Sequence, residues 1–403
     1  MKNPSRHIAA VEIGTSKINV LIGQITPGRG VSLIGFGECQ ANGVAKGVIT
    51  DFKQASDATH AALVAAEQDA RVKIDEVFLA QTGGHLRGFH HPATVNVESA
   101  ENLVSRNDMQ RACELAMSKE LEDGRIVVQY LQRPYLLDGK MVGPNPERLH
   151  GEKLEGGCWT VHGDQAVVTN SIHVIQGFNL KVADMILSSL AAGTMLTTQQ
   201  DRQQGVLMID IGAGTSDFVY YRHGVPFITG VVAVGGGHLT NDLALGLRVT
   251  EGQAEKLKLR HGRGVVASRD KSDKVWLNGD LAIGDRQFPR MAIETITAAR
   301  VQEIFEVVKK KLGFETNSDN CPAGVILTGG TSRLPHIEDA ATRVFGVPAH
   351  LGELPAWVGE KLSHPAHSTV LGLLHYGITG RSDTALVRRK PKRTFLRKLF
   401  ATA

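Results

Sequence analysis

The sequence predicts an α/β protein whose two lobes face each other across a cleft. Its 403 residues exceed the usual size of one compact domain. A pattern of apolar strand, acidic residue, Gly-containing turn and second strand occurs over residues 8–25 and again over residues 206–221. Because the two copies lie about half the chain apart, we expect each lobe to present one hairpin to the cleft.

Hydrophobic periodicity predicts the remaining elements in chain order. In the first half we expect strands around a turn at residues 14–16, a helix over 51–70 with Asp51 as N-cap, a buried strand over 77–82, a helix-like stretch at 106–121 and a β-rich stretch at 126–135. The scattered Gly and Pro of residues 83–163 indicate an inserted subdomain. In the second half we expect a strand at 172–176, a helix near 178–193, strands over 206–221 and 228–234, helices within 240–262, a polar stretch at 263–290, an amphipathic helix at 291–312 and a strand at 325–328.

Composition and charge narrow the class of protein. Hydrophobic residues make up 42% and charged residues 21%, an ordinary globular balance. We expect neither a signal peptide nor a membrane span, and the four dispersed cysteines indicate a reducing cytoplasm. Residues 387–403 carry seven Lys/Arg and no acid, whereas the rest of the chain has 38 basic and 41 acidic residues. We therefore expect no nucleic-acid partner for the body and an anionic partner for the tail.

The most specific motif is DIGAGTSD at residues 210–217. Glycines such as Gly212 and Gly214 let a phosphate approach the backbone, and successive N–H groups, here up to Thr215, form an anion-binding concavity. Asp210 could hold Mg²⁺, usually through water. A plain β-hairpin with a Gly turn is the alternative for this segment.

The matching first motif is EIGTSK at residues 12–17. Gly14, Thr15 and Ser16 would supply turn geometry and donors, and Lys17 a cation for the β- and γ-phosphates. Glu12 is the acidic residue that corresponds to Asp210, and we assign both to the metal. Each motif alone could be a plain hairpin, but their pairing favours phosphate binding.

Three further segments could complete a nucleotide site. The turn at Gly329, Gly330 and Thr331 could lie against a base or ribose, although an ordinary strand-to-helix connection is the simpler interpretation of this segment alone. Gly236 lies in a third Gly turn, whose His238 is interpreted as a hydrogen-bonding surface residue. The last segment is a helix on which two charged residues, three apart, either flank a ribose and an adenine or form a solvated face: Glu255 and Lys258.

Together these motifs resemble the superfamily of actin, Hsp70 and the sugar kinases, and within it the FtsA family of bacterial division proteins. The stretches that carry the resemblance span most of the chain in order: VEIGTSKINVLIGQI, GVLMIDIGAGTSDF, VAVGGGHLTNDLALGL followed by AEKLKLRHG, GVILTGGTSRLPHIEDAATRVF and STVLGLLHYG. The resemblance implies a two-lobed actin-like ATPase fold with an FtsA-type inserted subdomain, called 1C. It also implies that ATP, with Mg²⁺, lies among the Gly-rich segments and the charged pair Glu255 and Lys258.

The resemblance further implies a division of the chain. Lobe 1 (1A) would comprise residues 1–82, 164–205 and 362–380; the inserted 1C subdomain 83–163; lobe 2 (2A) 206–239 and 301–361; subdomain 2B 240–300; a flexible basic linker 381–393; and an amphipathic helix 394–403. Residues 178–193 and 366–377 would form the two helices that connect the lobes.

By resemblance, the protein binds ATP, self-assembles into protofilaments on the cytoplasmic face of the inner membrane and anchors FtsZ at the septum. FtsZ would meet residues 240–300, and later divisome proteins residues 83–163. Where actin places a Gln near the attacking water, residues 189–193 read SLAAG. Asp217 is the remaining candidate to orient water, with Asp210 as the other catalytic carboxylate. We therefore expect at most slow ATP hydrolysis.

The C-terminal residues 394–400, TFLRKLF, are amphipathic if helical. Four apolar side chains share one arc and two basic side chains point away from it: Phe395, Leu396, Leu399 and Phe400, then Arg397 and Lys398. Such a helix can lie in the interface of an anionic membrane. One tail should bind weakly and many tails on one filament firmly.

Three rival classes share the fold. A sugar or glycerol kinase would need an acidic base for its acceptor and usually more chain. An Hsp70-like chaperone would carry a peptide-binding domain after residue 380, where only 23 residues remain. The nearest rival is PilM, an FtsA-like ATP-binding protein of type IV pilus assembly. The amphipathic tail and the stretch GGGHLTNDLALGL favour FtsA.

Overall fold

Three five-stranded sheets organise the chain. The computed structural model describes residues 6–26, 30–267, 270, 272–277 and 286–379. The strands are β1 Arg6–Ile13, β2 Lys17–Thr26, β3 Gly30–Gln40, β4 Val44–Ala45, β5 Val48–Ile49, β6 Glu76–Gln81, β7 Arg87–Asn96, β8 Arg125–Gln132, β9 Tyr135–Leu137, β10 Lys140–Gly143, β11 Lys153–Asp164, β12 Lys181–Leu187, β13 Val206–Ile211, β14 Ser216–Arg222, β15 Val225–Val232, β16 Lys274–Leu277, β17 Arg286–Pro289, β18 Val325–Thr328 and β19 Ala349–Leu351.

The helices alternate with these strands in both lobes. They are α1 Phe52–Ala70, α2 Arg106–Ala116, α3 Gln165–Gln176, α4 Ser188–Leu196, α5 Gln199–Gln204, α6 Gly236–Leu247, α7 Glu251–His261, α8 Arg290–Leu312, α9 Ile337–Phe345 and α10 Ser368–Thr379, with single 3₁₀ turns at Gly330–Arg333, Ala356–Val358, Glu360–Leu362 and Pro365–His367. Within the described residues, none of the helices combines the length and apolarity that crossing a membrane requires.

The sheets of the two lobes have the same topology. The first runs β3-β2-β1-β6-β12 and the other β15-β14-β13-β18-β19. In each, the central strand pairs antiparallel with the next strand of the chain and parallel with a strand on its other side. The repeat predicted from residues 8–25 and 206–221 is therefore confirmed as a repeat of structure.

Helix α1 forms where the sequence predicts it. The Asp51 side chain accepts a hydrogen bond from the Gln54 backbone N–H at 3.0 Å, which caps the first turn. The helix ends at Arg71, whose φ of 54° is left-handed. Its small buried side chains allow close contact with β3, where a Cβ on Gly37 would lie 2.0 Å from the Ala62 carbonyl oxygen.

The third sheet is built from residues 87–164 and is antiparallel. Its order is β10-β9-β11-β7, and β8 also pairs with β11. Helix α2 packs on it through a small apolar core that includes Ala112, Tyr135 and Leu154. This helix ends at Ala116, five residues before the predicted end: the Met117 N–H makes the last helical bond, to the Cys113 carbonyl, whereas the Ser118 N–H bonds to the nearer Leu115 carbonyl.

Two predictions for residues 172–193 were wrong. Residues 172–176 belong to helix α3, which Asp164 caps by accepting from Ala166 and Val167. Their β-branched side chains suggested a strand, but Val168, Ile172 and Ile175 bury one helical face. Residues 181–187, expected in a helix, form β12, the parallel edge strand beside β6. The first connecting helix is therefore only α4, and the second is α10.

The two connecting helices cross at backbone distance. A Cβ on Gly372 of α10 would lie 1.8 Å from the Ala191 carbonyl oxygen of α4. Both helices belong to the apolar core that the two lobes share, together with Met208 of β13 and Leu21 of β2. Helix α10 also packs against β1, and α4 packs against β13, the strands that lead into the predicted motifs.

Candidate functional site

Two equivalent hairpin turns form the centre of the site. The Gly14 N–H donates to the Lys17 carbonyl at 3.0 Å, and the Gly212 N–H donates to the Thr215 carbonyl at 2.9 Å. Glycine is required at Gly14 because a Cβ there would lie 2.7 Å from the Lys17 carbonyl oxygen. The turns approach so closely that a Cβ on Gly214 would lie 2.4 Å from the Thr15 Oγ1. The repeat predicted that the two hairpins face one cleft, and the structure shows in addition that their turns lie in close contact.

The turns open into a cleft of about 510 Å³, within the size range of ligand pockets. Every residue that the sequence assigned to nucleotide, metal or catalysis lines this cleft: Glu12, Gly14, Thr15, Ser16, Lys17, Asp210, Gly212, Gly214, Thr215, Asp217, Gly236, Glu255, Lys258, Gly329, Gly330 and Thr331. The structure thus brings together residues that are up to 319 positions apart in the chain, from Glu12 to Thr331.

A single carbonyl joins three turns of lobe 2. The Gly212 carbonyl accepts from the Gly236 N–H at 2.8 Å and from the Thr331 Oγ1 at 3.0 Å. A Cβ on Gly236 would lie 2.3 Å from that Oγ1. Gly329 has a φ of 88°, and a Cβ there would lie 2.3 Å from the Asp210 Oδ1. These glycines are needed for turn-to-turn packing, a role beyond the ligand approach that the sequence suggested.

Three carboxylates are buried at the floor of the cleft. The Asn19 side chain donates to Glu12 at 3.0 Å, Thr369 donates to Asp210 at 2.8 Å, and Thr82 donates to Asp217 at 2.6 Å. The strand registers are equivalent, because Glu12 lies opposite Asn19 as Asp210 lies opposite Asp217. The direct hydrogen-bond partners of these carboxylates among the described side chains are therefore neutral donors and not cations.

Burial controls the protonation of these carboxylates. It raises the pKa of Glu12 to about 7, that of Asp210 to about 6 and that of Asp217 to about 7. The charge of Asp210 adds to the increase at both of the other groups, whereas the hydrogen bonds to Asn19, Thr369 and Thr82 oppose it. The site holds more negative charge than its own donors neutralise, which fits a divalent cation.

In the part of the chain that the structure describes, no group of three or more His, Cys, Asp or Glu side chains is placed to hold a metal ion. A site for Mg²⁺ needs only one or two carboxylates, because the ion retains several waters and takes phosphate oxygens as ligands. The donor set of Glu12 and Asp210 fits Mg²⁺ held largely through water.

The two charged residues of α7 that were predicted to flank a nucleoside, Glu255 and Lys258, contact each other, and Lys258 also contacts the third Gly turn. Lys258 donates to the Gly236 carbonyl at 3.1 Å and to the Thr240 hydroxyl at 2.9 Å, and forms a 2.7 Å ion pair with Glu255. Its side chain is 11% exposed, so it does not belong to a solvated charged face. Beside it the exposed Leu259 gives the cleft an apolar wall.

His238 does not line the cleft. The Gly235 N–H donates to its Nδ1 at 3.1 Å, at the start of α6. Burial lowers its pKa, so the ring is a neutral hydrogen-bonding group at the helix end. This agrees with the interpretation of His238 as a hydrogen-bonding residue.

Sequence reasoning missed several polar residues of the cleft. They include Thr82, Ser188, Arg333, His364 and Thr369. Thr82 is the last residue of the strand predicted at 77–82 and directly follows β6, so a threonine where a parallel strand ends could have been noticed. Thr369 lies in the first turn of α10 and His364 lies four residues before this helix, whose approach to Asp210 depends on the fold of the whole chain. The predicted membrane residues 395–400 and the linker lie outside the described residues.

Two lobes of identical strand order, each presenting a Gly turn to one cleft, define an actin-like ATPase fold. Solved structures agree: a PilM–PilN type IV pilus biogenesis complex has a TM-score of 0.61 at 16% identity, covering 92% of this chain and 98% of that chain. MreB5 of Spiroplasma citri bound to ADP has a TM-score of 0.55 at 15% identity, covering 93% of this chain and 97% of that chain. At 15–16% sequence identity, these two similarities establish the fold alone.

Sequence comparison is more specific. The model of the cell division protein FtsA matches residues 207–372, and that of the SHS2 domain inserted in FtsA matches residues 83–161. The FtsA of Neisseria meningitidis serogroup B is 30% identical over 383 residues, 93% of this chain and 91% of that protein. The FtsA of Pseudomonas aeruginosa is 29% identical over 380 residues, 93% of this chain and 90% of that protein. The chain belongs to the FtsA family of cell division proteins.

Proposed function

We propose that the protein binds ATP with Mg²⁺ in the cleft between its lobes. The observation that carries this proposal is the convergence of two equivalent Gly turns on three buried carboxylates. Turn amides favour phosphate oxygens, and a hydrated divalent cation would neutralise the carboxylates. Solved relatives of the fold include MreB5 of Spiroplasma citri bound to ADP and to AMPPNP.

In this proposal each part of the cleft has one task. The turns at residues 14–17 and 212–215 hold the β- and γ-phosphates, with Lys17 as the cation. Glu12 and Asp210 hold the waters of Mg²⁺. The turns around Gly236 and Gly330, with Glu255, Lys258 and Leu259, hold the nucleoside.

Hydrolysis is proposed to be slow. Ser188 is the residue of α4 that lines the cleft, and residues 189–193 contain no Gln or acid. Asp217, the candidate to orient water, is held by Thr82 at 2.6 Å. Bound Mg²⁺–ATP supplies a hydrolysable phosphoanhydride, and this chain supplies few groups to activate water. A steady-state phosphate release of several per second would contradict this expectation.

Titration with a fluorescent ATP analogue tests the binding proposal. We expect Lys17→Ala to weaken binding at least about tenfold, because a charged hydrogen bond is worth about 1.5–3 kcal/mol. Lys73→Ala is the matched control, since Lys73 is exposed and pairs with Glu67 on the outer side of lobe 1. If the wild-type protein fails to bind ATP in Mg²⁺, the proposal is wrong.

We further propose that the protein assembles on the cytoplasmic face of the inner membrane and anchors FtsZ at the division septum. Membership of the FtsA family supports the partners: FtsZ, further copies of the chain and later divisome proteins. The sequence supports the membrane, because an amphipathic pattern and seven Lys/Arg lie within residues 387–403.

Co-sedimentation with vesicles tests the membrane proposal. The full chain and a chain ending at Arg381 are mixed with anionic or neutral vesicles, with and without Mg²⁺–ATP. We expect only the full chain to sediment, only with anionic vesicles, and more with ATP. Sedimentation of both chains, or of neither, would contradict the proposal. Added FtsZ should sediment only in the samples that contain membrane-bound full chain.

The alternative is a PilM-like role in type IV pilus assembly. The PilM–PilN structure shares the fold at 16% identity, whereas the FtsA relatives reach 30% over nine-tenths of both chains. No feature of the cleft favours the pilus role, and binding of FtsZ would separate the two functions.

A further inference from the structure

The phosphate-side lysine of the cleft is paired with an acidic residue of the neighbouring strand. The Lys17 Nζ lies 2.6 Å from the Glu38 Oε2. Lys17 is the first residue of β2, and Glu38 lies near the end of β3, across from Asn19. Glu38 does not line the cleft, so its contact with the site passes through Lys17.

The same oxygen has a second partner. The His367 Nε2 lies 3.3 Å from the Glu38 Oε2. His367 is 7% exposed, and its ring packs edge-on against Phe36 with centroids 5.2 Å apart. It precedes α10 by one residue, and Thr369, two residues later, donates to Asp210. The start of α10 therefore contacts both hairpins, Lys17 through Glu38 and Asp210 directly.

These contacts set up a competition. An ammonium has three donors but one charge, so a carboxylate at 2.6 Å opposes the transfer of Lys17 to a phosphate. When Lys17 leaves, Glu38 retains a hydrogen bond from the His367 Nε2–H and does not become unpaired. The nearby Arg333, 2.9 Å from His364, adds positive charge at this rim of the cleft.

We propose that Glu38 and His367 are positioning residues that set the phosphate affinity of the site: Glu38 competes with phosphate for Lys17, and His367 holds Glu38 when Lys17 is given up. This inference rests on the proposed binding of ATP. It assigns a role to two residues that touch no part of the proposed ligand.

Isothermal titration of the full chain with ATP, ADP and adenosine tests the competition. Glu38→Gln should bind ATP and ADP about three- to fivefold more tightly, the value of a partly exposed ion pair. Adenosine affinity should not change, because it has no phosphate for Lys17. A loss of ATP affinity with Glu38→Gln, or an equal gain for adenosine, would overturn the proposal.

The same substitution in a protein without Lys17 separates competition for the lysine from general repulsion between Glu38 and phosphate. In Lys17→Met, the substitution Glu38→Gln should have no effect on ATP affinity, because no ammonium remains to compete for. An undiminished gain there would show that Glu38 acts only by its charge and would overturn the proposal. Glu38→Ser, which also removes the carboxylate, repeats the test with a smaller side chain.

His367 is tested in the same way. His367→Phe removes the second partner of Glu38, so Lys17 is held more tightly and ATP affinity should fall about threefold. In Glu38→Gln the same substitution should have no effect, which a merely structural role would not produce. If wild-type protein binds no ATP, the proposed function fails as well; if it binds ATP and Glu38→Gln is unchanged, only this inference fails.

Discussion

At the scale of single residues, the cleft brings three carboxylates together without a cation bonded directly to any of them among the described side chains. Glu12, Asp210 and Asp217 accept hydrogen bonds from neutral side chains, and Asp217 is almost fully buried while Glu12 and Asp210 are only partly exposed. Because no cation pairs directly with these groups, desolvation favours the protonated carboxyl and raises the pKa of all three. The ionisation of these three carboxylates should therefore affect both the stability of the fold and the affinity for a ligand.

The first prediction concerns stability and pH without Mg²⁺ or nucleotide. Burial raises the pKa of Glu12 from 4.5 to about 7, so between these values the folded chain binds more protons than the unfolded chain. The contribution of Glu12 to the free energy of unfolding then falls as pH rises through this window. Glu12→Gln has no such loss, and its stability relative to wild type should rise from pH 5 to about pH 7.5 in urea titrations. A pH-independent difference would contradict this assignment.

The second prediction concerns a glycine and its neighbour. Gly236→Ala should weaken ATP binding about tenfold, because its Cβ would meet the Thr331 Oγ1 at 2.3 Å. Adding Thr331→Ala removes that oxygen and should recover most of the affinity, to about that of Thr331→Ala alone. Titration of the three variants with a fluorescent ATP analogue measures this, and additive losses would refute the steric explanation.

At the scale of elements, the crossing of α4 and α10 tolerates no side chain. Gly372→Ala should lower the free energy of unfolding by about 3 kcal/mol or more, because the new Cβ would lie 1.8 Å from the Ala191 oxygen. The matched control is Gly252→Ala in α7, where a Cβ meets nothing within 4 Å. It should remain within about 1 kcal/mol of wild type in urea denaturation. Similar losses for both variants would show that the crossing can adjust.

The elements also show what the sequence could predict. The strand-turn-strand pairs at 8–25 and 206–221 were predicted correctly because their apolar runs end at Gly turns, a local signal. The prediction for residues 181–187 was wrong because β12 is an edge strand whose identity depends on pairing with β6, about 100 residues earlier. Thr369 and His367 were missed for the same reason, since their partners lie in distant elements.

At the scale of the whole molecule, Arg133 and Trp159 connect the third sheet to lobe 2. The Arg133 guanidinium lies 3.9 Å from the Phe227 ring centroid and donates to the Phe227 carbonyl at 2.8 Å. Trp159 donates to Thr229 of the same strand at 3.2 Å. Burial lowers the pKa of Arg133 to about 10. Its packing between aromatic rings, rather than an ion pair, joins the inserted segment to β15.

The fourth prediction tests this contact. Arg133→Ala should lower the free energy of unfolding by about 1–3 kcal/mol and speed amide exchange in β15, because stacking and a buried hydrogen bond are lost. Arg106→Ala, in the same subdomain, removes only an exposed ion pair with Glu147 and should cost at most about 0.5 kcal/mol. Exchange in β15 that is equal in the two variants would show that the contact does not join the segments.

The Gly212 carbonyl, which accepts from both the Gly236 amide and the Thr331 hydroxyl, links three turns on the lobe 2 side of the cleft into one hydrogen-bonded body. The turn at Lys17 belongs to a different body. Under the proposed function, the base and sugar touch only the first body, and the phosphate chain reaches both. The distance between the lobes would then report how many phosphates the ligand carries, whichever base it has. A probe pair placed across the cleft should distinguish ATP from ADP but not ATP from GTP at saturation.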